Sequence, residues 1–217
     1  MKKILGVAIF KLLLGIFILP ASSGFTFVVN NETITITGLE TVEGTTEIVI
    51  PGRIDGIPVT AIGDNAFQRN QLTNVTIPDS VITIGNGAFS NNPLASVTIG
   101  NGVITIGDNA FFGNQLSSIT IGSSVTTIGR SAFANDPSRF NMRLASITIP
   151  DNVTTIGRGA FIANGLTSIT IGPNVTIADA AFLADRSDGF ARAYNTGGRQ
   201  AGTYTRPNTG SGFWTRR

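Results

Sequence analysis

Six phenylalanines, Phe67, Phe89, Phe111, Phe133, Phe161 and Phe182, follow one another at steps of 22, 22, 22, 28 and 21 residues, and a 22-residue phrase travels with them. A fixed period of this length marks a repeat array. The copy opened by Leu94 reads Leu94-Ala-Ser-Val97-Thr-Ile99-Gly-Asn-Gly-Val103-Ile-Thr-Ile106-Gly107-Asp-Asn-Ala110-Phe111, and Leu72, Leu116, Leu144 and Leu166 open others. Units of this size have no private core, so each must cover its neighbour's apolar face, and the chain winds into a solenoid. Such a coil displays a long ordered surface. Binding is therefore the default expectation, and a catalytic pocket has to be argued for.

Inside each copy, Leu-x-x-Val/Ile-x-Ile and Val-x-x-Ile-Gly are β-branched runs parted by turn residues, as at Ile77-Pro78-Asp79 and Ile99-Gly100-Asn101. They predict two short strands per coil. The Ile-Gly-x-x-Ala-Phe piece bends the chain and turns a small Ala and a large Phe inward. Gly85, Gly107, Gly129 and Gly157 are expected to adopt backbone conformations that a Cβ resists. The phenylalanines should form an internal ladder rather than a ligand groove, because Leu, Val, Ile and Ala repeat in register beside them. Three residues beyond each Phe stand Asn70, Asn92, Asn114, Asp136, Asn164 and Asp185, read as side chains that bond turn backbone of the same or the next coil. One such oxygen per coil is a thin set for a hard cation, which takes roughly six or more.

The chain contains no cysteine and no histidine, which removes thiolate nucleophiles, disulfides, Cys/His zinc sites and imidazole acid–base chemistry. No metal and no other cofactor is expected. All three lysines, Lys2, Lys3 and Lys11, lie in the first 23 residues, beside or within an apolar stretch from Ile4 to Leu19 that is followed by small residues after Pro20. This is the layout of a secretory signal peptide, with Ala21 and Ser23 ahead of a cleavage before Gly24. Left uncleaved, that segment is the expected membrane contact. The remainder carries twelve arginines against thirteen acids, a net charge of −1. It divides unevenly: Gly24 to Gly129 has eight acids against Arg53 and Arg69, whereas Arg130 to Arg217 has ten arginines against five aspartates. The organisation expected is a signal peptide over 1–23, an N-terminal β cap over 24–56, repeats over 57–184, and a basic, aromatic C-terminal cap or tail over 185–217.

From Ile57 to Leu183 the phrase Leu-x-x-Val/Leu-x-Ile-Pro-x-x-Val-x-x-Ile-Gly-x-x-Ala-Phe resembles the BspA-type leucine-rich repeats of bacterial surface and secreted proteins. Ile48-Val-Ile-Pro51 to Asp55-Gly56-Ile57-Pro58-Val59 looks like the segment leading into that family's first repeat, and Ala201-Gly-Thr-Tyr-Thr-Arg-Pro207 with Trp214 looks like the short tail of some members. The resemblance implies a mainly β, right-handed leucine-rich-repeat solenoid with two short strands per ~22-residue coil, exported and displayed outside the cell. It also implies adhesion, with an extracellular protein or glycan of a host matrix or another microbial surface as partner, and no nucleic acid. The chain differs from longer members in having about five and a half copies and no recognisable wall anchor. Non-catalytic recognition of adhesin type is the expected function. A structural spacer without a specific ligand and a carbohydrate-active solenoid enzyme are the alternatives.

Outward positions of the first strand are small and hydroxylated, from Thr73, Asn74 and Thr76 to Thr167, Ser168 and Thr170, and lack the aromatic and arginine anchors of binding hot spots. Regular threonines also cover ice-binding solenoids, yet any exposed strand favours Thr. A second column, Asp64, Asn86, Asp108, Arg130, Arg158 and Asp179, precedes the Ala-Phe pair. Asp108 with Arg130 and Arg158 with Asp179 are expected ion pairs, and Arg130 beside Arg158 is the unbalanced step, either a solvated edge or an anion site. All four glutamates, Glu32, Glu40, Glu43 and Glu47, crowd the lead-in, where a solvated cap over an exposed edge accounts for them without a glycosidase carboxylate pair. No catalytic residue is assigned. The tail's arginines and aromatics either cap the last coil or form a separate binding element.

Leu144 follows Phe133 at a step of eleven residues where other copies take a step of five. Six extra residues cannot enter a stacked core without disturbing both neighbours, so 135–143 is expected to bulge from one edge. This loop offers Arg139, Phe140, Met142 and Arg143, which with Arg130 and Arg158 are the candidate binding residues. A tolerated insertion whose Phe140 and Met142 fold back on the rim is the competing reading.

Overall fold

A computed structural model describes residues 24–40, 44, 46–135, 144–178, 180–182, 189–208 and 211–217. The signal peptide expected over 1–23 and most of the loop expected over 135–143 lie outside the described residues. The chain enters through an antiparallel pair, β1 (Phe25–Asn30) and β2 (Thr33–Leu39), then β3 (Glu47–Val49), β4 (Arg53–Ile54) and β5 (Ile57–Ile62). Each following coil contributes a strand from its first β-branched run and a two-residue strand from its second. These are β6 (Asn74–Ile77) and β7 (Thr83–Ile84), β8 (Ser96–Ile99) and β9 (Thr105–Ile106), and β10 (Ser118–Thr120) and β11 (Thr127–Ile128). The later coils add β12 (Ser146–Thr148) and β13 (Thr155–Ile156), then β14 (Ser168–Ile171) and β15 (Thr176–Ile177). The chain closes with α1 (Gly189–Thr196), β16 (Gly202–Thr205) and β17 (Thr215–Arg216). The fold is a mainly β solenoid of stacked coils.

Every coil has three sides, and like residues stack on like. The two-residue strands join a long sheet in the order β1-β2-β5-β7-β9-β11-β13-β15, parallel from β2 onward. Its isoleucines Ile84, Ile106, Ile128 and Ile156 are buried beneath it. The first-run strands alternate as period-2 pleating requires, with Val75 and Ile77 inward and Asn74 and Thr76 outward. The third side is the Ala-Phe turn, bonded from coil to coil without a strand. The amides of Phe67, Phe89, Phe111, Phe133 and Phe161 donate to the carbonyls of Ala88, Ala110, Ala132, Ala160 and Ala181 at 2.7 to 2.8 Å. Inside, the rings from Phe67 to Phe182 stack with centroids 5.0 to 5.4 Å apart and planes within 15° of parallel. Phe25 meets one end of this stack edge-on and Phe190 the other.

The asparagine column is the polar counterpart of that ladder. Asn92 Nδ2 donates to the carbonyls of Phe89 in its own coil and Phe67 in the preceding one, while its Oδ1 accepts from the amides of Asn70 and Leu72. Asn114 repeats the pattern with Phe111, Phe89 and Leu94. The clasp thus reaches back to the preceding coil, not forward to the next. Asn164 bonds Phe161 and Phe133 in the same way, and its Oδ1 accepts from Asn135 Nδ2.

The four glycines serve a purpose different from the one expected. Gly85, Gly107, Gly129 and Gly157 have no left-handed φ; that conformation falls two residues later, at Gly87, Asn109, Ser131 and Gly159. A Cβ on Gly107 would instead stand 2.8 Å from the Asn86 nitrogen of the preceding coil, and one on Gly157 2.6 Å from that of Arg130. Close approach of neighbouring backbones, not local conformation, excludes a side chain. Gly107→Ala is expected to cost about 2 kcal/mol, as overpacking does, measurable as a lower urea midpoint at unchanged slope.

The C-terminal segment closes the stack. β16 runs antiparallel on β14, and β17 on β16, so the last first-run strand is not left as an open edge. Phe190, Tyr194, Tyr204 and Trp214 are buried against the final coil. The Tyr194 hydroxyl donates to the Gly172 carbonyl and accepts from the Val175 amide. Burial raises the pKa of Tyr194 and of Tyr204 above the ordinary 10.0. The folded chain therefore holds these phenolic protons more tightly than the unfolded one, and the associated stability is complete below about pH 10 and lost as pH rises through the folded values. Melting temperature should drop above that pH, and Tyr194→Phe should flatten the drop.

Candidate ligand-binding surface

The strand face expected to be a smooth hydroxyl surface is interrupted. β3, β6, β8 and β10 form one four-stranded sheet and β12, β14, β16 and β17 form another. The other two sides continue past this seam. Thr127 and Ile128 of β11 pair with Thr155 and Ile156 of β13, and the Phe133 and Phe161 rings remain stacked at 5.4 Å. Elsewhere the Ser117 amide donates to the Ala95 carbonyl, that of Thr167 to Ala145, and that of Ile149 to Thr170. Their counterparts across the seam, Ala145 amide to Ser117 carbonyl and Ile121 amide to Thr148 carbonyl, are absent among the described residues.

The parted strands leave a cleft of roughly 360 Å³. Hydroxyls of Ser118, Thr120, Ser146 and Thr148 line it together with Ile119, Ile121 and Ile147, and among the described residues no ionisable side chain does. Ile119 is half-buried, whereas Val75, Val97, Ile147 and Ile169 at the same place in other coils are 1, 2, 4 and 0% exposed. Beyond the strands the coils meet again, where Asn152 Nδ2 donates to the Ser123 carbonyl at 2.8 Å. The opening is therefore a wedge on one side of the coil.

Arg130 and Arg158 stand exposed on adjacent coils, their backbones in contact through the bond from the Ser131 amide to the Arg158 carbonyl. The expected Asp108–Arg130 ion pair is replaced by a different contact. The Asp108 carboxylate accepts the backbone amide of Arg130 at 2.7 Å, as Asp64 accepts that of Asn86 and Asn86 that of Asp108. This column ties turn to turn by side chain to main chain, so charge matching does not govern it, and the Arg130 guanidinium pairs with no carboxylate among the described residues. Arg139, Phe140, Met142 and Arg143 lie outside the described residues, as do Glu43 and Asp179.

Residues 60–187 match six copies of the BspA type leucine rich repeat region. The chain belongs to the BspA-type leucine-rich repeat family. A leucine rich cell surface protein from Faecalibacterium prausnitzii A2-165 is similar to it with a TM-score of 0.63 and 33% identity, over 77% of this chain and 46% of that one. The T. pallidum leucine rich repeat protein is similar with a TM-score of 0.57 and 28% identity, over 64% of each chain. A leucine-rich repeat protein from Bacteroides ovatus, 23% identical with a TM-score of 0.50 over 82% of this chain and 42% of that one, shares the fold. The chain thus spans less than two thirds of each. No curated protein sequence matches it.

Against the BspA-type repeat, the departure is the seam. Its signal in the sequence is the 28-residue step from Phe133 to Phe161, which locates an insertion but not the unpairing of β10 from β12. The tail's aromatics are taken up by the end of the stack: Phe190 packs on Phe182, Tyr204 and Trp214, and Arg206 lies over the Trp214 ring at 5.0 Å with its Nε donating to the Leu166 carbonyl. Phe213, by contrast, is exposed.

Proposed function

We propose that this BspA-type repeat protein is an exported, non-catalytic recognition protein of adhesin type that binds an extracellular protein or glycan. The observation that carries the reading is the Arg130–Arg158 step. Two exposed arginines occupy neighbouring coils, joined through the bond from the Ser131 amide to the Arg158 carbonyl, and like charges on adjacent coils favour an anionic partner over a second cation. Arg139, Phe140, Met142 and Arg143 belong to the same basic half and complete the proposed contact. Export rests on the signal-peptide pattern of residues 1–23 and on the cell-surface neighbour; among the described residues no helix is long and apolar enough to cross a membrane.

The test is binding of the protein to an array of extracellular matrix proteins and of neutral and sulfated glycans at physiological salt. Arg130→Ala with Arg158→Ala should lower binding to the partner by about tenfold and reduce its salt dependence. Absence of binding to every array member at micromolar protein would make the chain a spacer. Glycan turnover lost on Glu40→Gln would make it an enzyme.

A further inference from the structure

We propose that the seam between β10 and β12 is a strand-acceptor site that takes one extended, uncharged peptide segment of a partner protein. This deepens the recognition reading and rests on it. Both walls are strand edges, each paired in parallel with the next strand of its own sheet, β10 with β8 and β12 with β14. The Ser117 and Thr148 carbonyls and the Ile121 and Ala145 amides lack the coil-to-coil partners that their counterparts have. Two facing rows of main-chain donors and acceptors specify their ligand chemically, because an extended backbone presents the complementary groups at the same repeat, about 3.3 Å per residue. Unpaired strand edges are read in this way by added strands. Ile119, half-buried here and covered at the equivalent place in every other coil, leaves an apolar strip for one aliphatic side chain of the guest. The described lining holds hydroxyls and aliphatic groups with no ionisable side chain among them, which suits an uncharged guest, since a charge carried inward costs free energy unless it is paired.

Space sets the mechanics. Cα atoms of β10 and β12 still approach within 8 Å, whereas strands flanking a guest stand about 9.6 Å apart, twice the usual ~4.8 Å spacing. Binding therefore widens the wedge by roughly 2 Å or more. The axis of that opening is the β11–β13 pairing and the Phe133–Phe161 stack, which stay joined.

The probe is the blocked heptapeptide Leu-Ala-Ser-Val-Thr-Ile-Gly, the chain's own strand sequence from Leu94 to Gly100, added in excess to the full protein while amide hydrogen exchange is followed. Ile121 and Ala145 amides should slow by about tenfold, and the Ile149 amide, already bonded to Thr170, should not change. The same peptide N-methylated at alternate amides keeps its side chains and should protect nothing. Cross-linking the seam shut with Ser118→Cys and Ser146→Cys, in a chain with no cysteine of its own, should abolish protection, and reduction should restore it. Should that variant not fold, the N-methylated comparison on the unaltered chain decides alone. No slowing at millimolar peptide, equal protection by the N-methylated peptide, or slowing that appears with protein concentration alone, as a second copy would produce, overturns the proposal. A silent seam in a protein that binds on the array removes this site and leaves the recognition reading standing; silence in both removes both.

Discussion

Asn92→Ala is expected to destabilise the protein by about 4 kcal/mol, because one side chain satisfies four backbone groups in a place water does not reach. Its Nδ2 holds the Phe67 and Phe89 carbonyls at 2.8 and 2.9 Å, and its Oδ1 holds the Asn70 and Leu72 amides at 2.9 and 3.0 Å. Alanine leaves those groups unpaired, and buried orphans cost about 1–3 kcal/mol each, with partial relaxation limiting the sum. Aspartate should be no better, since it sets a second oxygen against two carbonyls and buries a charge. The contrast is Asn86→Ala. Asn86 makes a similar bond to the Asp108 amide but is exposed, so its loss should cost less than about 1 kcal/mol. Urea unfolding of the three variants, followed by far-ultraviolet circular dichroism, separates the two outcomes. Equal midpoints for Asn92→Ala and Asn86→Ala would show that burial of the clasp is irrelevant.

Phe111→Ala carries the second large effect, a loss of about 3–5 kcal/mol from transfer and cavity terms together. Phe111 is 1% exposed and stacks between Phe89 at 5.1 Å and Phe133 at 5.2 Å. Its position at mid-stack adds a consequence that a globular core would not show. Coils touch only their neighbours, so a cavity at one level weakens the interface between two otherwise intact halves. Unfolding of the variant should lose its single transition, with the calorimetric enthalpy exceeding the van't Hoff value. Phe213→Ala, at a ring 85% exposed, should leave the midpoint unchanged. A sharp single transition in Phe111→Ala at nearly native stability would refute the ladder as the main support of the core.

Much of this architecture is readable before any coordinate. The Phe spacing locates the inner ladder, the alternation in Asn74-Val75-Thr76-Ile77 gives each first-run strand its inner and outer faces, and the Asn at three residues beyond Phe marks a structural clasp. Each signal is a period, and a period needs only the covalent chain and the fact that like coils stack on like. Distances between coils are not written in the period. Gly107 announces that a Cβ is unwelcome, but its sequence position does not reveal that the obstruction is the Asn86 backbone of the coil before. Asp108 and Arg130 carry opposite charges one period apart, yet a carboxylate held 2.7 Å from a backbone amide gains a strong, short-range bond without ordering a long arginine side chain.

By itself, then, the sequence determined the coil: its length, its inward residues, its family and the place where six residues are added. The tertiary structure alone decided what that addition does to the stack. The long sheet and the Phe ladder pass the insertion while β10 and β12 part. Strand pairing is lost once edges separate by little more than a hydrogen-bond length, whereas ring stacking and the bonds of the other two sides tolerate a small tilt. Which of three sides yields depends on how all three are anchored to both neighbouring coils, a property of the assembled stack that no single copy of the repeat contains.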